Sequence, residues 1–155
     1  MKFTSQEEFG LRFLLQLARR TPASLTIAEL AQAEGVSVPN AAKIMRVLRT
    51  GGLVRSTRGQ AGGYALSRQP EDISVKEALT MLGERLFDAG FCERHAGVES
   101  LCINLGDCSI RPVLRTVQDV VDQVLGQLTL KSLLAPEREV KFGPRALPLP
   151  VARIS

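Results

Sequence analysis

The stretch TIAELAQAEGVSVPNAAKIMRVLRTGGLVRSTRGQAGGYALS, residues 26–67, decides the fold. It opens on Thr26-Ile27-Ala28-Glu29. In that pattern the threonine hydroxyl caps an orphan backbone N–H, and the glutamate three residues on reaches back to the cap. This places a short helix over 27–34, stopped at Gly35, which tolerates the left-handed conformation of a helix end. Ser37 caps a next helix over 38–50, with Pro39 accepted in its first turn, and Gly51-Gly52 ends it. Two short strands follow, 53–56 and 63–67, around the glycine-rich turn 57–62. Two helices joined by a Gly-containing turn and followed by a hairpin make a winged helix-turn-helix, with 38–50 as the recognition helix. Its core is expected to join Ala28, Leu30 and Ala31 to Ile44, Val47 and Leu48. Val38, Asn40, Lys43 and Arg46 are then left toward solvent or a DNA groove. Asn can pair with adenine, and Arg or Lys with guanine or phosphate. Arg58 at the hairpin tip could enter a minor groove, and Arg55 could reach phosphate. The plainer alternative is a three-helix packing unit with a solvated hairpin.

Outward from this stretch, the same capping signature recurs. Thr4-Ser5-Gln6-Glu7 starts a helix over 5–20, apolar at Phe9, Phe13, Leu14, Leu17 and Ala18 and ended by Thr21-Pro22. Ser74-Val75-Lys76-Glu77 starts another over 74–86. Residues 87–108 show no period and hold every cysteine. A long helix is expected over 110–130. Along it Ile110, Leu114, Val117, Val121, Val124 and Leu128 step as a heptad seam, widened by Val113, Val120 and Leu125. A stripe of this kind can simply be core. Because it follows a complete small domain, a homodimer seam at Leu114, Val117, Val121, Val124 and Leu128 is the better reading. Two-fold symmetry would then set two recognition helices about 34 Å apart on a palindromic operator. The last twenty residues contain Pro136, Pro144, Pro148 and Pro150 and read as extended or disordered. The expected organisation is a DNA-binding domain at 1–86, a cysteine loop at 87–108, a dimerisation helix at 109–134 and a tail at 135–155. The fold class is mainly α with a small β wing.

Composition sets limits on function. With 155 residues, 45% apolar and 23% charged, the chain suits one globular domain with a real core. No stretch approaches the ~20 apolar residues of a spanning helix. Glu7, Glu8 and Arg12 interrupt the first apolar pattern, which argues against a signal peptide, so a cytoplasmic location is expected. Residues 1–68 carry ten Lys and Arg against four Asp and Glu, whereas 69–155 carry ten against twelve. A basic front half points to a polyanion partner, most simply double-stranded DNA. With one histidine, no nucleophile–base pairing and no P-loop, the chain is not read as an enzyme.

The spacing Cys92-x9-Cys102-x5-Cys108 is too tight for scattered structural cysteines, and an odd count does not suit a disulfide scaffold. Thiolates are soft ligands, suited to iron–sulfur clusters and to zinc. A fourth donor is needed, and His95, the only histidine, lies three residues after Cys92. A Cys3His zinc site is therefore the chemical rival, although x9 and x5 intervals are poor for it. A thiol redox enzyme would want a C-x-x-C motif, which is absent.

The segment from Gly52 to Leu66 resembles the wing of the Rrf-two family of bacterial winged-helix transcription regulators. Met1-Lys2-Phe3-Thr4 and Phe9-Gly10-Leu11-Arg12 look like that family's first helix, and Ile73-Ser74-Val75 and Leu128-Thr129-Leu130 also fit. The likeness covers about residues 1–134. Iron–sulfur, nitric-oxide-sensitive and iron-responsive members carry three cysteines between the fourth helix and the long helix, as this chain does. The resemblance implies a homodimeric regulator, a repressor or activator, controlled by an iron–sulfur cluster on Cys92, Cys102 and Cys108. A 4Fe–4S cluster is placed ahead of 2Fe–2S, with zinc as the alternative. The resemblance also offers Glu8, from the opposite subunit, as the fourth ligand in competition with His95. The cluster would tether loop 87–108 beside the base of the dimer helix.

Overall fold

The computed structural model describes residues 3–57, 62–88, 90–94, 102–104 and 106–140. Capping places the first three helices at the expected residues: α1 Ser5–Arg20, α2 Ile27–Glu34 and α3 Val38–Thr50. Thr4 and Thr26 each close a full capping box, with Glu7 and Glu29 respectively. Gly35 ends α2 at φ +66°, where any side chain would be strained. Next come strands β1 Val54–Thr57 and β2 Gly63–Leu66, antiparallel with Val54 opposite Leu66. Leu25 joins their edge, exchanging two backbone hydrogen bonds with Tyr64 at 2.9 and 2.7 Å. A Cβ on Gly63 would stand 2.8 Å from the Leu25 carbonyl oxygen, so this close approach needs glycine.

Three later helices follow: α4 Val75–Leu82, the single turn α5 Phe91–Arg94, and α6 Ile110–Gly126. Short 3₁₀ turns lie at Pro70–Asp72, Ser132–Leu134 and Glu137–Glu139. The core joins Phe13, Leu14 and Leu17 of α1 to Leu30, Ile44, Met45 and Leu48, closed by Leu53, Ile73, Leu82 and Leu130. Burying a side chain of this size contributes about 1.5–3 kcal/mol.

Several elements differ from the sequence expectation. Ala28 is exposed, and Met45 is fully buried while Val47 is half-buried at the margin. Both follow from where the inward stripe of each helix falls. Helix α4 stops at Leu82 rather than running to 86, because Gly83 turns to an extended conformation. The buried Glu7 side chain fills the space where a Cβ of residue 83 would sit. Helix α6 ends at Gly126 rather than 130, and the chain then rejoins the first unit. Val75 N–H donates to the Leu128 carbonyl at 2.8 Å, Leu130 N–H donates to the Ile73 carbonyl at 3.0 Å, and the Leu130 side chain is fully buried. The chain thus leaves the helix-turn-helix unit at Gly83 and returns to it at Leu128. The cysteines and α6 lie on the excursion between.

Candidate nucleic-acid interface and cysteine segment

Helix α3 buries Ala41, Ile44, Met45 and Leu48. At 100° per residue, Lys43 and Arg46 point away from Ile44 and Leu48, with Asn40 and Val38 on the two flanks. All four are exposed. Thr50 continues the same stripe at the i+7 position from Lys43 and is also exposed. That spacing would have found it in the sequence. Arg55 is exposed on β1, opposite Ala65. Arg58 lies outside the described residues. Lys43, Arg46 and Arg55 make no ion pair with any described residue. In contrast, Arg12, Arg68, Lys76, Arg85, Arg94 and Lys131 are each engaged by a carboxylate. Exposed, unneutralised cations on one face of a helix and on the adjoining strand suit contact with a phosphate backbone.

Cys92, Cys102 and Cys108 are free thiols, each half-buried. Cys92 sits in the α5 turn. Asp88 and Arg94 straddle that turn with hydrogen bonds of 3.0 Å, and these bonds from Arg94 hold the Asp88 carboxyl below the usual range. The donor chemistry fits a soft metal or cluster. The arrangement is not yet a site: among the described residues no three His, Cys, Asp or Glu side chains are gathered to hold a metal ion. His95 lies outside the described residues. Glu8 is exposed, with 54% of its side chain open, and accepts a hydrogen bond from Arg12 at 2.6 Å. The buried acid at this place is its neighbour Glu7, which accepts from the Thr4 N–H and hydroxyl, each at 2.7 Å. The capping signature named Glu7 but gave no hint that it would be enclosed by Gly83.

The apolar stripe of α6 is split between two directions. Leu114, Val121 and Leu125 are half-buried toward the helix's own domain, and Leu128 lies past the helix end. Ile110, Val113, Val117 and Val124 are 63%, 60%, 45% and 37% exposed. The one fully buried residue of α6 is polar, Gln118.

A recognition helix bearing open cations, a three-part β edge and a long helix with an uncovered apolar face define a winged-helix DNA-binding protein. A family model described as "Rrf2: Iron-dependent Transcriptional regulator" matches residues 3–136, and the chain belongs to this family of transcription regulators. Protein rrf2 of Nitratidesulfovibrio vulgaris is 30% identical over 152 residues, covering 94% of this chain and 99% of that protein. The HTH-type transcriptional regulator NsrR of Bacillus subtilis is 28% identical over 141 residues, covering 90% of this chain and 94% of that protein. Among solved structures, T. potens IscR superposes with a TM-score of 0.69 at 27% identity, covering 92% of this chain and 94% of that one. CymR, titled the global cysteine regulator of B. subtilis, superposes with a TM-score of 0.66 at 26% identity, covering 86% and 96%. These relatives are transcriptional regulators and not enzymes. Among the described residues, no helix is long and apolar enough to cross a membrane.

Proposed function

We propose that this DNA-binding regulator works as a homodimer whose operator affinity is set by an iron–sulfur cluster on Cys92, Cys102 and Cys108, completed by Glu8 of the opposite subunit. The observation that carries the reading is the placement of all three free, half-buried thiols on one excursion, between Gly83 and the first turns of α6. Resemblance to regulators named IscR and NsrR supports it. When bound, such a cluster supplies a labile, redox-active group that nitric oxide, oxygen or iron shortage can alter.

The chain's own residues do the rest. Lys43, Arg46, Arg55 and Arg58 bind the phosphates and grooves. Asn40 and Val38 flank the base-reading stripe. Ile110, Val113, Val117 and Val124 cover one another's counterparts across a two-fold axis, so that α6 fixes the distance between the two reading heads. Among Leu114, Val117, Val121, Val124 and Leu128, the exposed Val117 and Val124 contribute most to that contact. The half-buried members brace α6 against its own domain. Drawing the three thiols together tethers the cysteine loop beside the base of α6, and releasing them loosens that tether and shifts the two reading heads. Glu8 must let go of Arg12 to serve as a ligand, which makes it a labile donor.

An absorption spectrum after anaerobic purification tests this. A brown protein with sulfide-to-iron bands near about 400 nm supports the cluster. A colourless protein that contains zinc identifies a zinc-stabilised regulator, and a colourless one without metal identifies a cluster-free regulator. Glu8→Ala should leave a cluster that is bleached faster by oxygen, while His95→Ala should change little. The reverse pattern would place all four ligands in one chain.

A further inference from the structure

Gln118 stands out in α6. It is 5% exposed, in a helix whose other residues are all half-buried or open. A buried primary amide is retained at a cost unless its polar ends are satisfied. Here both ends are used. Its Oε1 accepts the Phe87 backbone N–H at 3.1 Å, and its Nε2 donates to Asp122 Oδ1 at 2.7 Å. The other Asp122 oxygen holds Arg85 from the linker and Lys76 of α4, the latter at 3.1 Å. One amide thus ties together α6, the linker that follows Gly83, and α4.

Each end of this tie leads somewhere. The Phe87 ring packs on Phe91, with centroids 5.2 Å apart, and Phe91 directly precedes Cys92 in the α5 turn. At the other end, Lys76 lies on α4, whose last residues press on the reading head. A Cβ on Gly51, the residue that ends α3, would stand 2.8 Å from Met81 Cγ. A Cβ on Gly10 of α1 would stand 2.3 Å from Leu82 Cδ2. Met81 and Leu82 thus pack against bare glycine backbone, which seats the last turn of α4 directly on α1 and on the end of α3. Beside the tie is a hollow of about 80 Å³, bordered by Phe3, Leu79, Leu86, Val121 and Leu125.

We propose that Gln118 is a positioning residue that couples the cysteine segment to the DNA-reading face, through Phe87 and Phe91 on one side and Asp122, Lys76 and α4 on the other. A residue that only filled space could be replaced by an apolar side chain of similar size with the coupling intact. A residue that transmits cannot. The inference rests on the reading that the cysteine segment is the sensing part.

The test uses the full-length protein without a cluster. Cys102→Ser and Cys108→Ser leave Cys92 as the one thiol. The rate of Cys92 alkylation by iodoacetamide is measured free and bound to a duplex selected by the wild-type chain from a random pool. If the tie transmits, duplex binding changes the surroundings of Cys92 and with them its alkylation rate, by about fivefold, the lower end of typical coupling between sites. Gln118→Leu should bring the free and bound rates together while the duplex is still bound. Should Gln118→Leu fold poorly, Asp122→Asn, which removes the charge and one of the two acceptor oxygens shared by Gln118, Arg85 and Lys76, should narrow the same ratio. An unchanged ratio in the variant that folds, or no DNA effect on Cys92 to begin with, overturns the inference. Failure of the cluster proposal reads out separately, as a colourless wild-type protein with this linkage intact.

Discussion

Helices α3 and α6 are both amphipathic, and they dispose of their apolar faces in opposite ways. In α3, thirteen residues long, Ala41, Ile44, Met45 and Leu48 are all buried within the chain, and the cations Lys43, Arg46 and Arg49 are left outside. In α6, seventeen residues long, only Gln118 is buried, and Ile110, Val113, Val117 and Val124 are left outside. Periodicity therefore reports that a face will be covered, but not by what. The first helix is positioned by its own core and offers charge to a polyanion. The second is half-positioned by its own chain and offers a row of valines to something else.

The sharpest way to break this contrast is to truncate one member of each stripe. Leu48→Ala should lower stability by about 2–5 kcal/mol, because it opens a cavity in a filled core. Val113→Ala should leave the melting temperature of the dilute monomer almost unchanged. Equal losses would mean that both stripes serve the same core. Next in size, Val117→Asp should cost the dimer about 3 kcal/mol or more, because each subunit would bury an unpaired carboxylate. Sedimentation should then show a folded monomer with weakened operator binding. A persisting dimer would move the partner face off the exposed valines. Smaller again, Arg46→Ala should weaken operator binding by about 1–3 kcal/mol and make its salt dependence shallower. Unchanged binding by gel shift for both Arg46→Ala and Lys43→Ala would remove α3 as the reading element.

The smallest effect concerns the entry to α2. Hydrogen bonds from the Thr26 N–H and hydroxyl hold the Glu29 carboxyl below its ordinary range. A group whose folded value is depressed contributes stability above its unfolded value and loses it as pH falls through the folded value. The Glu29 cap is therefore intact at neutral pH and released under acid conditions below the ordinary glutamate range. Carboxyl NMR should follow this, and Thr26→Ala should return Glu29 toward its ordinary value.

The same contrast explains which parts were legible in the sequence. Thr4, Thr26 and Ser37 each cap through a local bond, so α1, α2 and α3 fall where the residues alone put them. The hairpin was legible for a similar reason, since Gly52 ahead of it takes φ +72°, a local demand that glycine meets. What failed depends on distant partners. Helix α4 was drawn too long because only the packing of Glu7 against Gly83 reveals the break. Helix α6 was drawn too long because Leu128 and Leu130 pair with Val75 and Ile73, far back in the chain. The family resemblance points to Glu8, yet Glu7 is the enclosed acid, and one residue of helix rotation is enough to exchange them. Nothing in the sequence singles out Gln118 and Asp122 among the polar residues of α6. No periodicity shows that a glutamine faces inward to meet a backbone N–H thirty-one residues away.

The return of the chain at Leu128 has a consequence for how such regulators diversify. The excursion departs at Gly83 and ends beside Ser74 and Val75, both ends being pinned to the same small unit. A loop with fixed ends adds closure entropy only as the logarithm of its length, about 0.6 kcal/mol per doubling. Insertions between Cys92 and Cys102 therefore leave the DNA-reading unit nearly untouched. Evolution can lengthen or shorten the segment between Cys92 and Cys102 while α6 and the promoter it addresses stay the same, and a protein engineer can vary that segment on the same terms.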